Sequence, residues 1–150
     1  MAPSNSEAES RWISIRREHE GFPLYLRYPA ALDYALLQAK LPFRSVVTHA
    51  FSLRRFDGAP EPKYNDTLEA FDGFLTGYFA SPDRGQIVLV ETFGGERNYY
   101  FYIADPADTE TLLTTVRRQF PGQRVDAECE KDSEWRFIQK YRAEYLESGA

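Results

Sequence analysis

The sequence has few of the residue types that usually hold metals or crosslink a chain. Its 150 residues include one cysteine, Cys129, and two histidines, His19 and His49. A single cysteine excludes an internal disulfide framework and a cysteine-based zinc site, and no His-x-x-x-His or Glu-x-x-His motif is present. We therefore predict no metal site and no cofactor, with His49 satisfied in the core and His19 in solvent.

Long hydrophobic runs and an excess of basic residues are also missing. No window approaches about 18 consecutive apolar residues, and residues 1–10 lack the apolar stretch of a signal peptide. We expect a cytoplasmic protein without membrane contact, and a flexible tail at residues 1–10. The net charge of −5 disfavours a nucleic-acid partner, because phosphate contacts need clustered Lys and Arg.

Aromatic residues, by contrast, are abundant, with 11 Phe, 10 Tyr and 2 Trp. A chain of this length and composition can bury a sizeable apolar core, which excludes a disordered protein. We predict a single α+β domain over residues 11–147.

The N-terminal part alternates between apolar and polar residues, as strands do. Residues 12–18 and 22–28 flank a Glu20-Gly21 turn and predict a β-hairpin in which Ile15 faces Leu26. One side of this hairpin is apolar, and the other carries Trp12, Ser14, Arg16, Tyr25 and Arg27.

From residue 43 the patterns run strand, helix, strand, strand, helix, strand, and then a final helix. A capping box at Asp66 and Glu69 and an Asp105-Pro106 start mark two of the helices, and Asp132 or Ser133 caps the last. This order predicts a ferredoxin-like split βαββαβ antiparallel sheet with the N-terminal β-hairpin and an extra C-terminal helix. Residues 30–41 have the composition of a short helix, which Pro42 would end.

The Gly94-Gly95 hairpin predicts which residues share a sheet face. Pairing Val90 with Tyr99 and Val88 with Phe101 places both pairs, with Ile103, on a first face that we assign to the helices. The second face then carries Ile87, Leu89, Glu91, Asn98, Tyr100 and Tyr102. Two interpretations of this mixed face stay open: a binding surface, or a face covered by the hairpin, the 30–41 segment or the last helix. Cover is the commoner arrangement in a single domain.

The sequence offers no catalytic motif. Cys129 lies between Glu128 and Glu130, whose charges disfavour a thiolate, and no Gly-x-Ser-x-Gly motif is present. The acidic residues of the last strand are expected on a solvated strand face, and Gly94-Gly95 precedes a strand instead of the helix that a phosphate loop needs. We therefore assign no catalytic residue.

Four stretches together are similar to one bacterial family. They are the Trp12 strand with Pro23 to Arg27, the helix start Asn65 to Glu69, the run Gly94 to Tyr102, and the ending Asp132 to Phe137. In order and spacing they resemble the family called domain of unknown function 695, over roughly residues 11–146. The resemblance implies an α+β domain, sometimes joined to a domain similar to the ribonuclease E inhibitor B type, and implies no activity, cofactor or catalytic residue.

The leading hypothesis is a non-enzymatic binding or regulatory module that uses the aromatic and polar sheet face, with another protein as the expected partner. If the hairpin adjoins that face, one surface would contain Arg16, Tyr25, Arg27, Glu91, Asn98, Tyr100 and Tyr102.

Two alternatives remain. One is an enzyme for a small anionic substrate, with Arg27 or Arg97 as anion clamp and Glu91 as general base. The other is an RNA-binding module built on the aromatic run 97–103, although the register points Tyr99 and Phe101 toward the helices. The oligomeric state stays open.

Overall fold

The computed structural model describes residues 11–51 and 68–146. Within them lie six strands: β1 (Trp12–His19), β2 (Phe22–Pro29), β3 (Phe43–Ala50), β4 (Gly85–Phe93), β5 (Glu96–Ile103) and β6 (Arg124–Lys131). The helices are α1 (Tyr34–Gln38), α2 (Glu69–Thr76), α3 (Ala107–Gln119) and α4 (Arg136–Tyr141), and α4 continues into a π-helical turn, Arg142–Leu146. The predicted flexible tail at 1–10 and the capping residue Asp66 lie outside the described residues.

All six strands form one antiparallel sheet in the order β1-β2-β4-β5-β3-β6. β3 and β4, which α2 separates in the sequence, do not pair, because β5 lies between them. This is the split arrangement expected from the strand–helix–strand–strand–helix–strand order. The hairpin β1–β2 extends the sheet beyond β4. The α+β class is therefore confirmed.

The two tight turns set the registers that the sequence predicted. Glu20 and Gly21 have φ values of 54° and 85°, and Gly94 and Gly95 have 64° and 88°. Two successive positive φ values are typical of the hairpin turns whose twist matches that of the strands. Ile15 pairs with Leu26 and Val90 pairs with Tyr99, as predicted.

A β-bulge corrects the predicted register of β4. Ile87, and not Val88, is the partner of Phe101, because the pairing shifts by one residue between Ile87 and Leu89. The extra residue reverses the alternation, as bulges do. Ile87 therefore packs on the first face with Phe101, and Val88 joins Leu89 on the second.

Helices cover both faces of the sheet, which corrects the prediction that they gather on one. On the first face, α2 and α3 bury residues such as Phe71, Leu75 and Leu112 against the sheet. On the second, α1 and α4 contribute Leu37 and Ile138, with further cover from Leu41 and Trp135, to a separate core. The second face is therefore largely covered, as one of the two interpretations held. None of the helices within 11–51 and 68–146 has the length and apolar character needed to cross a membrane.

Asp132 attaches α4 to the second face. Its carboxylate accepts the backbone N–H groups of Arg136 and Phe137 at 2.9 and 3.1 Å, as a capping residue does, and the Tyr102 hydroxyl at 2.7 Å. The Trp135 ring stacks on Tyr102 with centroids 4.1 Å apart, and its indole N–H donates to the carbonyl of Leu41. These contacts fix where α4 begins and which side of it meets the sheet.

Candidate functional site

A pocket of about 510 Å³ opens on the second face, where the end of the β1–β2 hairpin meets α4 and the π-helical turn. This volume lies within the range of ligand-binding clefts. The lining side chains come from the hairpin, β4 and the C-terminal segment: His19, Leu24, Glu91, Phe93, Phe137, Lys140, Tyr141, Glu144 and Tyr145. Its walls are mostly apolar and aromatic, with a few polar groups among them.

One wall consists of three aromatic residues spaced four apart, Phe137, Tyr141 and Tyr145. In a helix this spacing places side chains on the same side. Successive ring centroids lie 5.7 and 4.9 Å apart, so the three rings form a continuous surface. Leu24 of β2 and Phe93 of β4 also line the pocket.

Glu91 is the polar centre of this pocket. The Tyr141 hydroxyl donates to its Oε2 at 2.6 Å, and the Asn98 amide donates to its Oε1 at 2.9 Å. Asn98 in turn accepts a hydrogen bond from the Thr48 hydroxyl at 2.7 Å. Both donors to the carboxylate are neutral, and no ion pair within the described residues includes Glu91.

The tyrosines around Glu91 hold their protons firmly. Burial and then the charge of Glu91 raise the pKa of the Tyr141 hydroxyl far above its ordinary value. The same two causes raise the pKa of Tyr100. Tyr141 is consequently a fixed hydrogen-bond donor to the carboxylate and cannot serve as a base near neutral pH.

The mouth of the pocket joins the hairpin turn to the C-terminal segment. The Tyr145 hydroxyl lies 2.9 Å from His19 Nδ1, and the His19 ring meets the Phe93 ring edge-on with centroids 5.5 Å apart. Arg17 Nε donates to the Tyr145 carbonyl at 3.0 Å. His19 is exposed, as predicted, and its contacts with Tyr145 and Phe93 also shape this part of the pocket.

Three of the residues predicted for a binding surface meet at or next to this pocket. Glu91 lines it, Asn98 holds Glu91, and Tyr100 stacks on Phe137 with centroids 4.4 Å apart. Tyr102 is fully buried beneath Trp135. It belongs to the core and is closed to a partner.

The predicted arginines lie on the opposite face. Arg27 pairs with Val90, a first-face residue, whereas its neighbour Leu26 pairs with Glu91. Tyr25 and Arg16 share the side of Arg27, since Tyr25 pairs with Thr92 and Arg16 with Tyr25. The expected single surface is therefore wrong: alternation along β2 places the sheet between the arginines and Glu91.

On the first face Arg27 takes part in an ionic cluster centred on Asp72 of α2. Its guanidinium binds both carboxylate oxygens, one of them at 3.0 Å, and the hydroxyl of Tyr99 donates at 2.8 Å. Arg97 lies 3.5 Å from the same carboxylate. Burial by itself raises the pKa of Asp72, but Arg27, with help from Tyr99 and Arg97, holds that pKa below its ordinary value.

The sheet separates the anion clamp from the general base that the anionic-substrate hypothesis needs on one surface. Arg27 and Arg97 both lie on the first face, and Glu91 lies on the second. The aromatic rings that an RNA-binding surface would need, Tyr99 and Phe101, are buried on the first face as well. Neither alternative has its residues assembled on one surface.

The histidines and the cysteine form no metal centre. His49 is buried, with Nε2 2.8 Å from Oε1 of Gln123, and burial lowers its pKa. Cys129 is half-buried and packs at the edge of the first-face core. Across residues 11–51 and 68–146, no group of three metal-ligating side chains is placed to hold an ion.

The pocket residues that sequence reasoning missed come mainly from the C-terminal segment and the hairpin turn. The spacing of Phe137, Tyr141 and Tyr145 was a usable signal, because it predicts an aromatic stripe on one side of a helix. Nothing in the sequence signalled that His19 would meet Tyr145, since this contact joins residues 126 positions apart.

The class defined by these observations is an α+β domain with an aromatic-walled pocket on one face of its sheet. The chain belongs to a family of unknown function, DUF695, whose model matches residues 10–141. The resemblance seen in the sequence is thus confirmed. No curated protein and no solved structure matches the chain.

Proposed function

We propose that this protein is a non-enzymatic binding and regulatory module of the cytoplasm that recognises another protein through the pocket beside Glu91. The observation that carries the proposal is the pocket itself, which has a volume of about 510 Å³, a mainly apolar lining and one half-buried carboxylate, that of Glu91, in its wall. Concave apolar surfaces with a few placed polar groups are the usual form of recognition sites.

The polar groups of the pocket favour binding over catalysis. Glu91 is held by two donors, Tyr141 remains protonated, and His19 is hydrogen-bonded to Tyr145. None of the lining residues is a serine, threonine or cysteine that could act as a nucleophile. The groups are arranged to hold one another in place, which suits a preformed recognition site.

The surroundings of the mouth favour a protein partner. Phe22, the partner of His19 across the hairpin turn, is 51% exposed, so apolar surface continues beyond the pocket. Exposed aromatic residues next to a concave site are typical of protein contacts. On the same face of the sheet, β6 exposes Asp126, Glu128 and Glu130. Arg117 and Arg44 pair with Asp126 and Glu130, and Glu128 adds a negative charge that disfavours a phosphate backbone.

Site-specific photo-crosslinking tests the proposal. A photoreactive amino acid at position 144, which lines the pocket, is compared in cells with the same group at Ala143, which is exposed and outside the lining. We expect one protein to be captured from position 144 and not from 143.

The captured protein is then purified and titrated against the wild-type chain, the pocket-blocking variant Lys140→Trp and the control Ala143→Trp. We expect Lys140→Trp to abolish binding and the control to retain it. Equal binding by both variants would exclude the pocket as the recognition site.

A further inference from the structure

We infer that the group received by the pocket is cationic, a lysine ammonium or an arginine guanidinium presented by the partner protein. This inference rests on the proposed function and specifies the chemistry of what enters the pocket. It depends on three features: the charge of Glu91, the capacity of its oxygens and the aromatic rings around it.

The pocket carries a negative charge that the described residues leave without a cation. Glu91 is half-buried, and its hydrogen bonds come from the neutral groups of Tyr141 and Asn98. Lys140 and Glu144 also line the pocket, are both exposed, and carry opposite formal charges that sum to zero. Among the acidic and lysine side chains of the lining, the net negative charge is therefore that of Glu91.

The carboxylate has room for further donors. An ionised carboxylate has about four lone-pair positions, and a guanidinium can occupy two of them at once. Tyr141 and Asn98 each take one position on a different oxygen. One position on each oxygen is left, which matches the two parallel N–H groups of an arginine or the single head of a lysine.

The aromatic walls add an attraction specific to cations. The rings of Tyr141, Tyr145 and Phe93 line the same pocket as the carboxylate. Electron-rich ring faces attract ammonium and guanidinium groups, and they also pack against the apolar stem of a lysine or arginine. The chain already uses this contact elsewhere, where the Arg142 guanidinium lies 4.1 Å from the centroid of the Tyr34 ring.

Peptide pairs in which one member carries a cationic side chain and the other its neutral counterpart test the inference. The ¹⁵N-labelled protein is titrated by NMR with an acetylated, amidated Gly-Phe-Arg-Gly peptide and with the same peptide containing citrulline, which keeps the shape of arginine without its charge. A Gly-Phe-Lys-Gly peptide and its acetyl-lysine form make a second pair. We expect the charged member of each pair to bind about tenfold more tightly, with amide shifts at Glu91, Tyr141 and Tyr145.

Variants of Glu91 and Lys140 test whether the charge of the pocket causes the preference for cationic peptides. Glu91→Gln should reduce the preference for arginine over citrulline to below about threefold, whereas Glu128→Gln, at an exposed carboxylate of β6 outside the pocket, should leave it unchanged. Lys140→Glu adds negative charge at an exposed position of the pocket and should tighten binding of the arginine peptide. This variant still tests the inference if Glu91→Gln destabilises the fold. Equal affinity for arginine and citrulline peptides would overturn the inference, and so would an absence of shifts at the pocket with every peptide. The crosslinking comparison at positions 143 and 144 judges the proposed function independently of either result.

Discussion

Asp72 connects three elements of the fold, and its removal gives the most direct test of how the first face is stabilised. Its carboxylate, on α2, receives Arg27 from β2 and Tyr99 from β5. Arg97 contributes a longer ion pair of 3.5 Å. We predict that Asp72→Ala destabilises the protein by about 2–4 kcal/mol.

The magnitude follows from the partners that the substitution would strand. Tyr99 is fully buried, and an unsatisfied buried hydroxyl costs about 1–3 kcal/mol. The Arg27 side chain is 33% exposed, so water solvates part of its charge. Its loss of Asp72 therefore contributes much less to the destabilisation than the roughly 3–5 kcal/mol expected when a fully buried ion pair is broken. Arg97 is 13% exposed and retains its hydrogen bond to the Thr92 hydroxyl, which limits its loss.

Urea unfolding followed by tryptophan fluorescence measures the change. The chain has two tryptophans, and Trp135 is fully buried, so its emission should report unfolding. Asp126→Ala is the matched control, because Asp126 also pairs with an arginine but its side chain is 89% exposed. We expect that control to change stability by no more than about 0.5 kcal/mol.

A double substitution shows whether the stranded hydroxyl is the cause. In the Asp72→Ala background, Tyr99→Phe removes the unsatisfied group and should recover about 1 kcal/mol. The reasoning is refuted if Asp72→Ala costs no more than Asp126→Ala. It is equally refuted if the double variant loses as much unfolding free energy as the sum of the losses of Asp72→Ala and Tyr99→Phe measured separately.

Two further predictions concern pH and packing. Because the pKa of Asp72 is lower in the folded state than in the unfolded chain, its contribution is present above about pH 3.9 and is lost as the pH falls through the folded value. The melting temperature of Asp72→Asn should therefore fall less steeply than that of the wild type as the pH is lowered below about 3.9. Gly85→Ala should cost about 1–3 kcal/mol, because a Cβ there would lie 2.7 Å from the Phe79 ring. Phe79→Leu in the same chain should recover part of that loss in urea unfolding, and an unchanged midpoint for Gly85→Ala would contradict the packing argument.

Much of the local structure could be predicted because short-range rules decide it. Alternation around the Glu20-Gly21 and Gly94-Gly95 turns predicted the pairing of Ile15 with Leu26 and of Val90 with Tyr99. Turn geometry and period-two alternation act over a few residues, so they can be read directly from the sequence. The sequence predicted Asp132 or Ser133 as the cap of the last helix; Trp135 occupies the N-cap position, and the Asp132 carboxylate accepts the first two N–H groups of that helix.

The candidate site was predicted only in part, since alternation says which residues share a face and not which faces coincide. Glu91, Asn98 and Tyr100 were correctly placed together. The sequence also predicted Arg27 on the same surface. Its pairing with Val90 instead places it beside Asp72 on the other side of the sheet.

Local patterns in the sequence therefore specify the strands, their turns and the internal register of the first hairpin. The bulge that sends Val88 to the second face and the position of α4 over that face are visible only in the folded protein. The bulge shifts the pairing of β4 with β5 by one residue, which changes the face of the side chains on its far side from the turn. The position of α4 depends on contacts between distant residues, those of Asp132 with Tyr102 and of Trp135 with Leu41. The pocket beside Glu91 exists because those long-range contacts bring the aromatic stripe of the C-terminal segment against the end of the hairpin.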